Sequence, residues 1–416
     1  DERIDVVIKH PEYYNFCTTL LSENDHLFAS DFQQLADSSF LASQSLTHDR
    51  FELGETIFHV WFHGQIHFDL QEFKSSIQKF AEKQIEAFGE FPVEEYHFIY
   101  ELPPFPHYHG VEHQRGTVIT FGPAESLAER DHLNELMGVS CHELYHAWNV
   151  CQIRPAEIMP YDFAKEAYHA AGWIIEGITT YMGDIFLLKS GYFSLAEYFE
   201  TFEKMLNRES LNYGWKNQSI LESSFDLWID GYVAGIPDKK VSIYTHGALI
   251  AFCLDAMLLD ENSSLHQVMK ILWKRFGKPK VGYTIEEVWE VVLSQTEHPI
   301  YFNQFYLDFI AGKEDIFPIV EKHLSSLGFE LSSKAKEAHL ASMFGIIKSE
   351  GGTITKIHPD SEAYKKLMAG DAIKSEEMKD GILNLSISRF GRNQEINLSP
   401  SESILFKDFF LDDKNS

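Results

Sequence analysis

Hydrophobic and polar residues alternate in short runs over the first 70 residues, as in the segment ETIFHVWFHGQIHFDL. A period of two sends successive side chains to opposite faces of a strand, so this region is predicted to be rich in β-strands. At QEFKSSIQKFAEKQIEAFGEFP the apolar residues change to helical spacing, and Gly89 and Pro92 then stop the predicted helix. Two further strands, EYHFIYEL and TVITFG, are predicted after it.

The segment PPFPHYHGVEHQRG between these two strands is rich in proline, glycine and histidine, a composition that favours a loop. From about residue 126 the apolar spacing is overwhelmingly helical. Short apolar runs separated by glycine turns return near residue 330. The order of these patterns predicts an α+β protein with a domain boundary near that residue.

Composition and charge narrow the class of protein. The chain has 416 residues, of which 44% are hydrophobic and 24% charged, and no apolar run reaches the length of a membrane span. Its net charge of −28 repels phosphate backbones and anionic lipid. We therefore expect a soluble protein, cytoplasmic or periplasmic, without a nucleic-acid partner. Because the chain begins at Asp1 without a signal segment, we also expect that a leader has been removed or that this is a fragment.

Most cysteines and histidines are expected to be structural. Cys17, Cys141, Cys151 and Cys253 form no C-x-x-C pair, so they are predicted to be reduced, buried thiols. The alternating residues His59, His63 and His67 are predicted to lie on a strand. The group His107, His109 and His113 lacks a further acid or cysteine at firm ligand spacing, apart from Glu112, so a second metal site is not expected there.

The segment GVSCHELYHAWNVCQIRP, residues 138 to 155, has the spacing of a metal site. On a helix, His142 and His146 lie on one face and can bind a single zinc ion. Glu143 lies about 100° around the helix from His142, where it can act as a general base on a water at the open coordination position. The motif is short, and the alternative is a chance match in a chain with 20 histidines.

Two glutamates compete as the third ligand. Glu166 has the shorter gap to the motif, but it follows Lys165 and is typical of a solvated helix start. Glu176 lies among apolar residues in GWIIEGITTYMGD, where a carboxylate is costly to bury unless it binds a cation or a partner. The prediction is a zinc ion, one per chain, bound by His142, His146 and Glu176.

The segments HELYHAWNVCQIRP and GWIIEGITTY resemble the motifs of the glycyl aminopeptidase family of gluzincin zinc metallopeptidases. The resemblance extends to HGVEH, QSILESSFDLWI and IYTHGALIAFCLDAML, in the order of that family. It implies a thermolysin-like catalytic domain and hydrolysis of small N-terminal residues, such as Gly or Ala, from peptides with a free N-terminus. The segment FGIIKSEGGTITKIHPDSEAYKKLMAGDAI resembles a PDZ domain, which implies a peptide or intramolecular contact there.

The resemblance also implies roles for residues outside the metal site. Glu112 and His113 match the substrate loop of aminopeptidase N, and a carboxylate there would pair with the substrate's free ammonium. The strand TVITF after this loop matches the edge strand of that enzyme. Tyr244 matches a tyrosine that donates to the tetrahedral oxyanion. Asn149, Thr180 and Asp184 are candidates for orienting the ligating imidazoles.

The sequence departs from the family pattern at several positions near the site, which puts the side-chain preference in doubt: His109, Cys151, Gln152 and His246. The HGVEH motif also comes early, leaving room for only part of the family's N-terminal domain. The expected domains are an N-terminal β-rich remnant at 1–45, the catalytic domain at 46–328 and a PDZ-like domain at 329–416. Two alternatives stay open: a thermolysin-type endopeptidase, and a PDZ-bearing peptide-binding protein with a vestigial zinc site.

Overall fold

The computed structural model describes residues 2–24, 26–230 and 235–413, and the chain divides into two compact units. The first unit comprises the residues up to Tyr198 together with Gly247–Asn303, and the second comprises Phe199–His246 and the residues from Gln304 on. Both contain helices and strands, which confirms the α+β class. The predicted domains 1–45, 46–328 and 329–416 stay a prediction.

The first 190 residues contain strands and four of the helices. In chain order they are β1 (Ile4–Val6), β2 (Asn15–Thr18), β3 (Leu21–Glu23), β4 (His26–Ala29), α1 (Phe32–Asp37), β5 (Phe40–Ser43), β6 (Leu46–Leu53), β7 (Thr56–Gly64), α2 (Leu70–Phe88), β8 (Glu95–Leu102), β9 (His107–His113), β10 (Gly116–Gly122), α3 (Arg130–Tyr145) and α4 (Ile178–Lys189). A π-helical turn, Trp173–Gly177, leads directly into α4.

The rest of the chain is helical up to residue 326 and then mainly strands. The helices are α5 (Leu195–Glu209), α6 (Ile220–Phe225), α7 (Leu227–Asp230), α8 (Thr245–Asp260), α9 (Leu265–Leu272), α10 (Ile285–Leu293), α11 (Pro299–Phe305) and α12 (Phe317–Ser326). The elements that follow are β11 (Phe329–Ala335), α13 (His339–Phe344), β12 (Ile346–Lys348), β13 (Ile354–Ile357), α14 (Ala363–Lys366), β14 (Ala372–Lys379), β15 (Ile382–Arg389), β16 (Arg392–Leu398) and β17 (Lys407–Asp413).

The main sheet of the first unit has the strand order β6-β7-β8-β10-β9. Strands β7, β8 and β10 are parallel, and β6 and β9 run antiparallel at the two edges. The predicted period of two is visible in β7, where Phe58, Val60 and Phe62 are fully buried. Helix α2 connects β7 to β8 and buries the stripe that includes Phe73 and Phe80, so the sheet and this helix share one core.

The predicted loop at PPFPHYHGVEHQRG is wrong for residues 107–113. These residues form β9, which pairs with β10 over its whole length. The strand TVITF lies within β10, between β8 and β9, so the edge strand is HYHGVEH and not TVITF. The backbone pairing with β10 outweighs the local composition, because every residue of β9 has a register partner on its neighbour.

The predicted strand positions of two histidines and the predicted burial of the four cysteines are confirmed. His59 and His63 lie on β7, whereas His67 lies beyond the end of that strand. Cys17, Cys141, Cys151 and Cys253 are free, buried thiols, as predicted.

The C-terminal part of the second unit has a core of its own. Side chains of residues 344–398 pack together, among them Phe344, Ile346, Leu385 and Ile387. Helix α13 ends at Gly345, which adopts a left-handed conformation with φ of 67°, and β12 starts at the next residue. The PDZ-like assignment of this region stays a prediction.

Within the described ranges of the chain, no helix combines the length and the apolar composition that crossing a membrane requires.

Candidate metal centre

Two helical segments carry the predicted zinc ligands. His142 and Glu143 lie in the last turn of α3, and His146 is the residue at which that helix ends. Glu176 lies in the π-helical turn before α4. A π turn widens the helix locally and changes the direction of its side chains, and such turns occur often at functional sites. Helices α3 and α4 pack closely, since a Cβ added to Gly183 would lie only 3.3 Å from the Cα of His142.

The three predicted ligand atoms converge. The Nε2 atoms of His142 and His146 lie 3.0 Å apart, and the Oε2 atom of Glu176 lies 3.3 Å and 3.4 Å from them. A tetrahedral ion with bonds of about 2.05 Å separates its donor atoms by about 3.3 Å. Among the described residues, Oε2 of Glu176 is buried without a hydrogen-bond partner. The donor set and its spacing therefore fit zinc.

A backbone carbonyl fixes the orientation of His146. Its Nδ1–H donates to the carbonyl oxygen of Asn149 at 2.5 Å, which leaves Nε2 free to bind a metal. The Asn149 side chain in turn donates to the carbonyl of Ile174 at 2.8 Å and to the hydroxyl of Thr179 at 3.1 Å. Asn149 therefore links the end of α3 to the π turn. The sequence suggested Thr180 for such a role, whereas the contacting hydroxyl belongs to Thr179.

The charged groups of the site favour a positive charge between His142, His146 and Glu176. Burial alone would lower the pKa of His146, but the carboxylates of Glu176 and Glu112 raise it to about 10. Burial would raise the pKa of Glu176, yet the two imidazoles hold it well below its usual range. For Glu143 burial dominates and raises the pKa to about 8. The carboxylates of Glu112, Glu143 and Glu176 lie near the two imidazoles, and this concentration of negative charge favours the binding of a divalent cation.

Edge strand β9 brings a further acid to the site. A donor atom of Glu112 lies within 4.8 Å of donor atoms of Glu143 and His146. Gly110, two residues earlier on the same face of β9, faces Glu143, because a Cβ added to Gly110 would overlap Oε1 of that glutamate. Gly110 is not among the site residues that the sequence motifs predict. A glycine inside a strand is a signal of close approach and could have indicated it.

The remaining predicted residues lie elsewhere. The imidazole of His113 is next to Asp37, with Nδ1 3.3 Å from Oδ1 of that aspartate. Glu166 is exposed. Asp184 lies on α4, and the burial of its carboxyl group raises its pKa to about 7.

Tyr244 belongs to the second unit and directly precedes α8. The first two residues of this helix bind the buried carboxylate of Glu209: the Thr245 hydroxyl donates at 2.6 Å, and Nδ1 of His246 lies 2.9 Å away. Both Glu209 and His246 are almost fully buried. His246, one of the positions at which the sequence departs from the family pattern, is therefore paired with a buried acid.

A separate group of donors lies on the main sheet, formed by His59, Glu95 and His97. The indole N–H of Trp61 donates to Nδ1 of His97 at 3.2 Å, which places the imidazole proton on Nε2. The guanidinium of Arg115 donates to Glu95 at 3.3 Å. His97 and Glu95 therefore each have a hydrogen-bond partner within the protein.

Part of the chain matches a known protein family. Residues 135–250 match the M61 glycyl aminopeptidase family. This segment includes His142, Glu143, His146, Glu176 and Tyr244. The family match and the donor set together support a zinc aminopeptidase. No protein of curated function matches the chain.

Solved structures share the fold. An aminopeptidase N family protein from Idiomarina loihiensis is 24% identical with a TM-score of 0.88, and the match covers 100% of this chain and 78% of that one. A variant M1 zinc metallopeptidase from Deinococcus radiodurans, bound to a Tyr-Ser-Ala substrate, is 16% identical with a TM-score of 0.50. This second match covers 75% of the present chain and 63% of the other. At these identities the likeness establishes the fold.

The choice between the two candidate third ligands can be tested by metal content. We expect Glu176→Ala to weaken zinc binding by more than the roughly 10- to 100-fold that loss of an outer partner costs, because it removes a ligand atom. Glu166→Ala, which changes an exposed side chain, should bind zinc as the unaltered protein does. Zinc per chain is measured by elemental analysis after dialysis. Full zinc in the Glu176 variant would refute the ligand set.

The close approach of Gly110 to Glu143 predicts a loss of turnover without loss of metal. In Gly110→Ala the new methyl group must displace the Glu143 carboxylate, and a misplacement of about 1 Å is expected to lower turnover on the order of 100-fold. Zinc content should stay unchanged. The matched control is Gly138→Ala in α3, where an added Cβ meets nothing within 4 Å. Equal turnover in the two variants would contradict the prediction.

Proposed function

We propose that the protein is a zinc-dependent aminopeptidase that removes small N-terminal residues, such as Gly or Ala, from peptides. The main support is the donor triangle of His142, His146 and Glu176, whose edges measure 3.0 to 3.4 Å, with Glu143 beside it. The preference for small residues rests only on the resemblance to the glycyl aminopeptidases.

The roles follow from the chemistry of each group. His142, His146 and Glu176 would hold a zinc ion, which would supply Lewis acidity toward the scissile carbonyl and would lower the pKa of a water. Glu143 takes the proton from that water as its oxygen attacks the carbonyl carbon. When the C–N bond breaks, Glu143 returns the proton to the leaving amine.

Glu112 determines which peptide bond of the substrate is cleaved. A carboxylate at this point of β9 pairs with the α-ammonium of a substrate and leaves the first peptide bond at the reacting centre. An internal peptide bond has no neighbouring ammonium for Glu112 to bind. In this assignment the phenolic O–H of Tyr244 donates to the oxyanion that develops on the carbonyl oxygen.

We also propose a thermolysin-like catalytic domain at residues 46–328 and a PDZ-like domain at 329–416. The separate core of residues 344–398 supports the second assignment. A contact of the PDZ-like domain with a peptide, or with another part of this chain, belongs to the same proposal.

A substrate panel tests the proposed activity. We expect the zinc-loaded protein to hydrolyse glycyl and alanyl arylamides faster than N-acetylated peptides, and a chelator should abolish turnover until zinc is restored.

In Glu112→Ala, loss of the charged pair should lower kcat/KM for free-amine substrates by roughly 10- to 100-fold and leave zinc binding intact. As the control for base chemistry, Glu143→Gln should retain zinc but lose about 10² to 10⁴ in turnover.

Two outcomes of this panel would favour the alternatives. Faster cleavage of blocked than of free peptides would indicate a thermolysin-type endopeptidase. A metal-loaded protein without turnover would indicate a peptide-binding protein with a vestigial zinc site.

The role of Tyr244 predicts a change in kcat. Tyr244→Phe removes one donor to the oxyanion, and such a loss typically lowers turnover by about 10² to 10³, with a small effect on KM. Steady-state kinetics on the alanyl arylamide measures both constants. Tyr364→Phe, which changes an exposed tyrosine of the same unit, serves as the control. Undiminished kcat in Tyr244→Phe would remove the residue from the mechanism.

A further inference from the structure

The turn between β9 and β10 is bound by an acid from the N-terminal part of the chain. Oδ2 of Asp37 accepts the backbone N–H of Gln114 at 2.8 Å, and Oδ1 lies 3.3 Å from Nδ1 of His113. Asp37 precedes these partners by more than 70 residues in sequence. A single carboxylate therefore binds two consecutive residues of the turn.

A second contact binds the other half of the same turn. Nε of Arg115 donates to the carbonyl oxygen of Thr19 at 3.2 Å. A Cβ added to Gly116 would lie 3.0 Å from Cγ2 of Thr19, so the segment around Thr19 lies directly against β10. The N-terminal segment, residues 15–40, therefore holds the turn at both of its ends.

The residue next to this anchor is Glu112. Successive residues of a strand point to opposite faces, so His113 and Glu112 point away from each other. The imidazole of His113 is held by Asp37, while Glu112 lies within 4.8 Å of donor atoms of Glu143 and His146. Fixing the end of β9 at His113 and Gln114 therefore fixes the direction of the Glu112 carboxylate.

The position of Asp37 in its own helix does not explain its presence. It is the last residue of α1, where the partial negative charge of the helix end disfavours a carboxylate. Asp31, at the other end of α1, is an ordinary N-cap that accepts the N–H of Gln34 at 2.8 Å. The contacts of Asp37 are instead with the turn.

The charges of Glu112 and Asp37 both affect the pKa of the buried thiol of Cys151. Burial raises the pKa of Cys151, and the charges of Glu112 and Asp37 raise it further.

We propose that Asp37 is a positioning residue for the recognition of the substrate's free amino group, because it binds the His113–Gln114 turn and thereby holds Glu112 in place. The inference rests on the proposed role of Glu112 and extends it. Asp37 acts through the turn and does not touch the substrate. The N-terminal segment is thus part of the structure that builds the amino-group subsite, where the sequence suggested only a remnant.

Kinetics of Asp37 variants on a free alanyl arylamide test the inference. Asp37→Ala is expected to raise KM by roughly 10- to 100-fold, the range of a hydrogen bond to a charged group, with a smaller change in kcat and with full zinc content. Asp37→Asn should restore most of the affinity, because its amide oxygen still accepts the Gln114 N–H. Asp31→Ala weakens the same helix at its other end and should leave KM close to that of the unaltered protein.

Three results would overturn the inference. They are an unchanged KM in Asp37→Ala, an Asn variant as impaired as the Ala variant, and an equal KM rise in Asp31→Ala. The second would point to a direct role of the charge, and the third to general weakening of the N-terminal segment.

Different results would refute the proposed function and the inference about Asp37. Unchanged free-amine kinetics in Glu112→Ala, or no hydrolysis by the zinc-loaded protein, would refute the role of Glu112 and with it the role of Asp37. A large effect of Glu112→Ala beside a silent Asp37→Ala would refute the inference alone.

Discussion

Close packing of α3 against α4 is the constraint on which the candidate metal centre depends. The imidazoles come from one turn of α3, and the carboxylate of Glu176 must reach them from the π turn before α4. Gly183 permits this approach, because any side chain there would press on the backbone at His142. The result is a buried carboxylate among apolar residues, which is unfavourable unless a cation or protonated imidazole compensates its charge. The packing energy of the two helices therefore stabilises an arrangement that the ligands alone would not form.

The local part of this site could be predicted from the sequence. The spacing of His142 and His146 follows from the period of a helix, and the apolar segment around Glu176 indicates that its carboxylate needs a partner. Both predictions depend on residues within a few positions of each other. The helix α2 and the buried strands β7 and β8 were likewise predicted from local period.

The parts that the sequence did not indicate depend on contacts between distant segments. Strand β9 has the composition of a loop and becomes a strand through its pairing with β10. The residues around Asp37 give no local indication of its contact with the turn. The sequence indicates Thr180 as a partner of the site, whereas the neighbouring Thr179 accepts the hydrogen bond from Asn149. In each case a tertiary contact decides the outcome, and one sequence contains no direct record of such contacts.

One helix crossing restricts how this centre can change over time. A Cβ added to Gly177 would lie 2.6 Å from the Cα of Gly247, so the two backbones touch beside the ligand Glu176. Gly177 cannot gain a side chain by a single neutral substitution, since the opposing group is main chain and cannot rotate away. Sequence change in descendants of this protein is then directed away from Gly177 and toward the connecting loops, where side chains can vary without moving His142, His146 or Glu176.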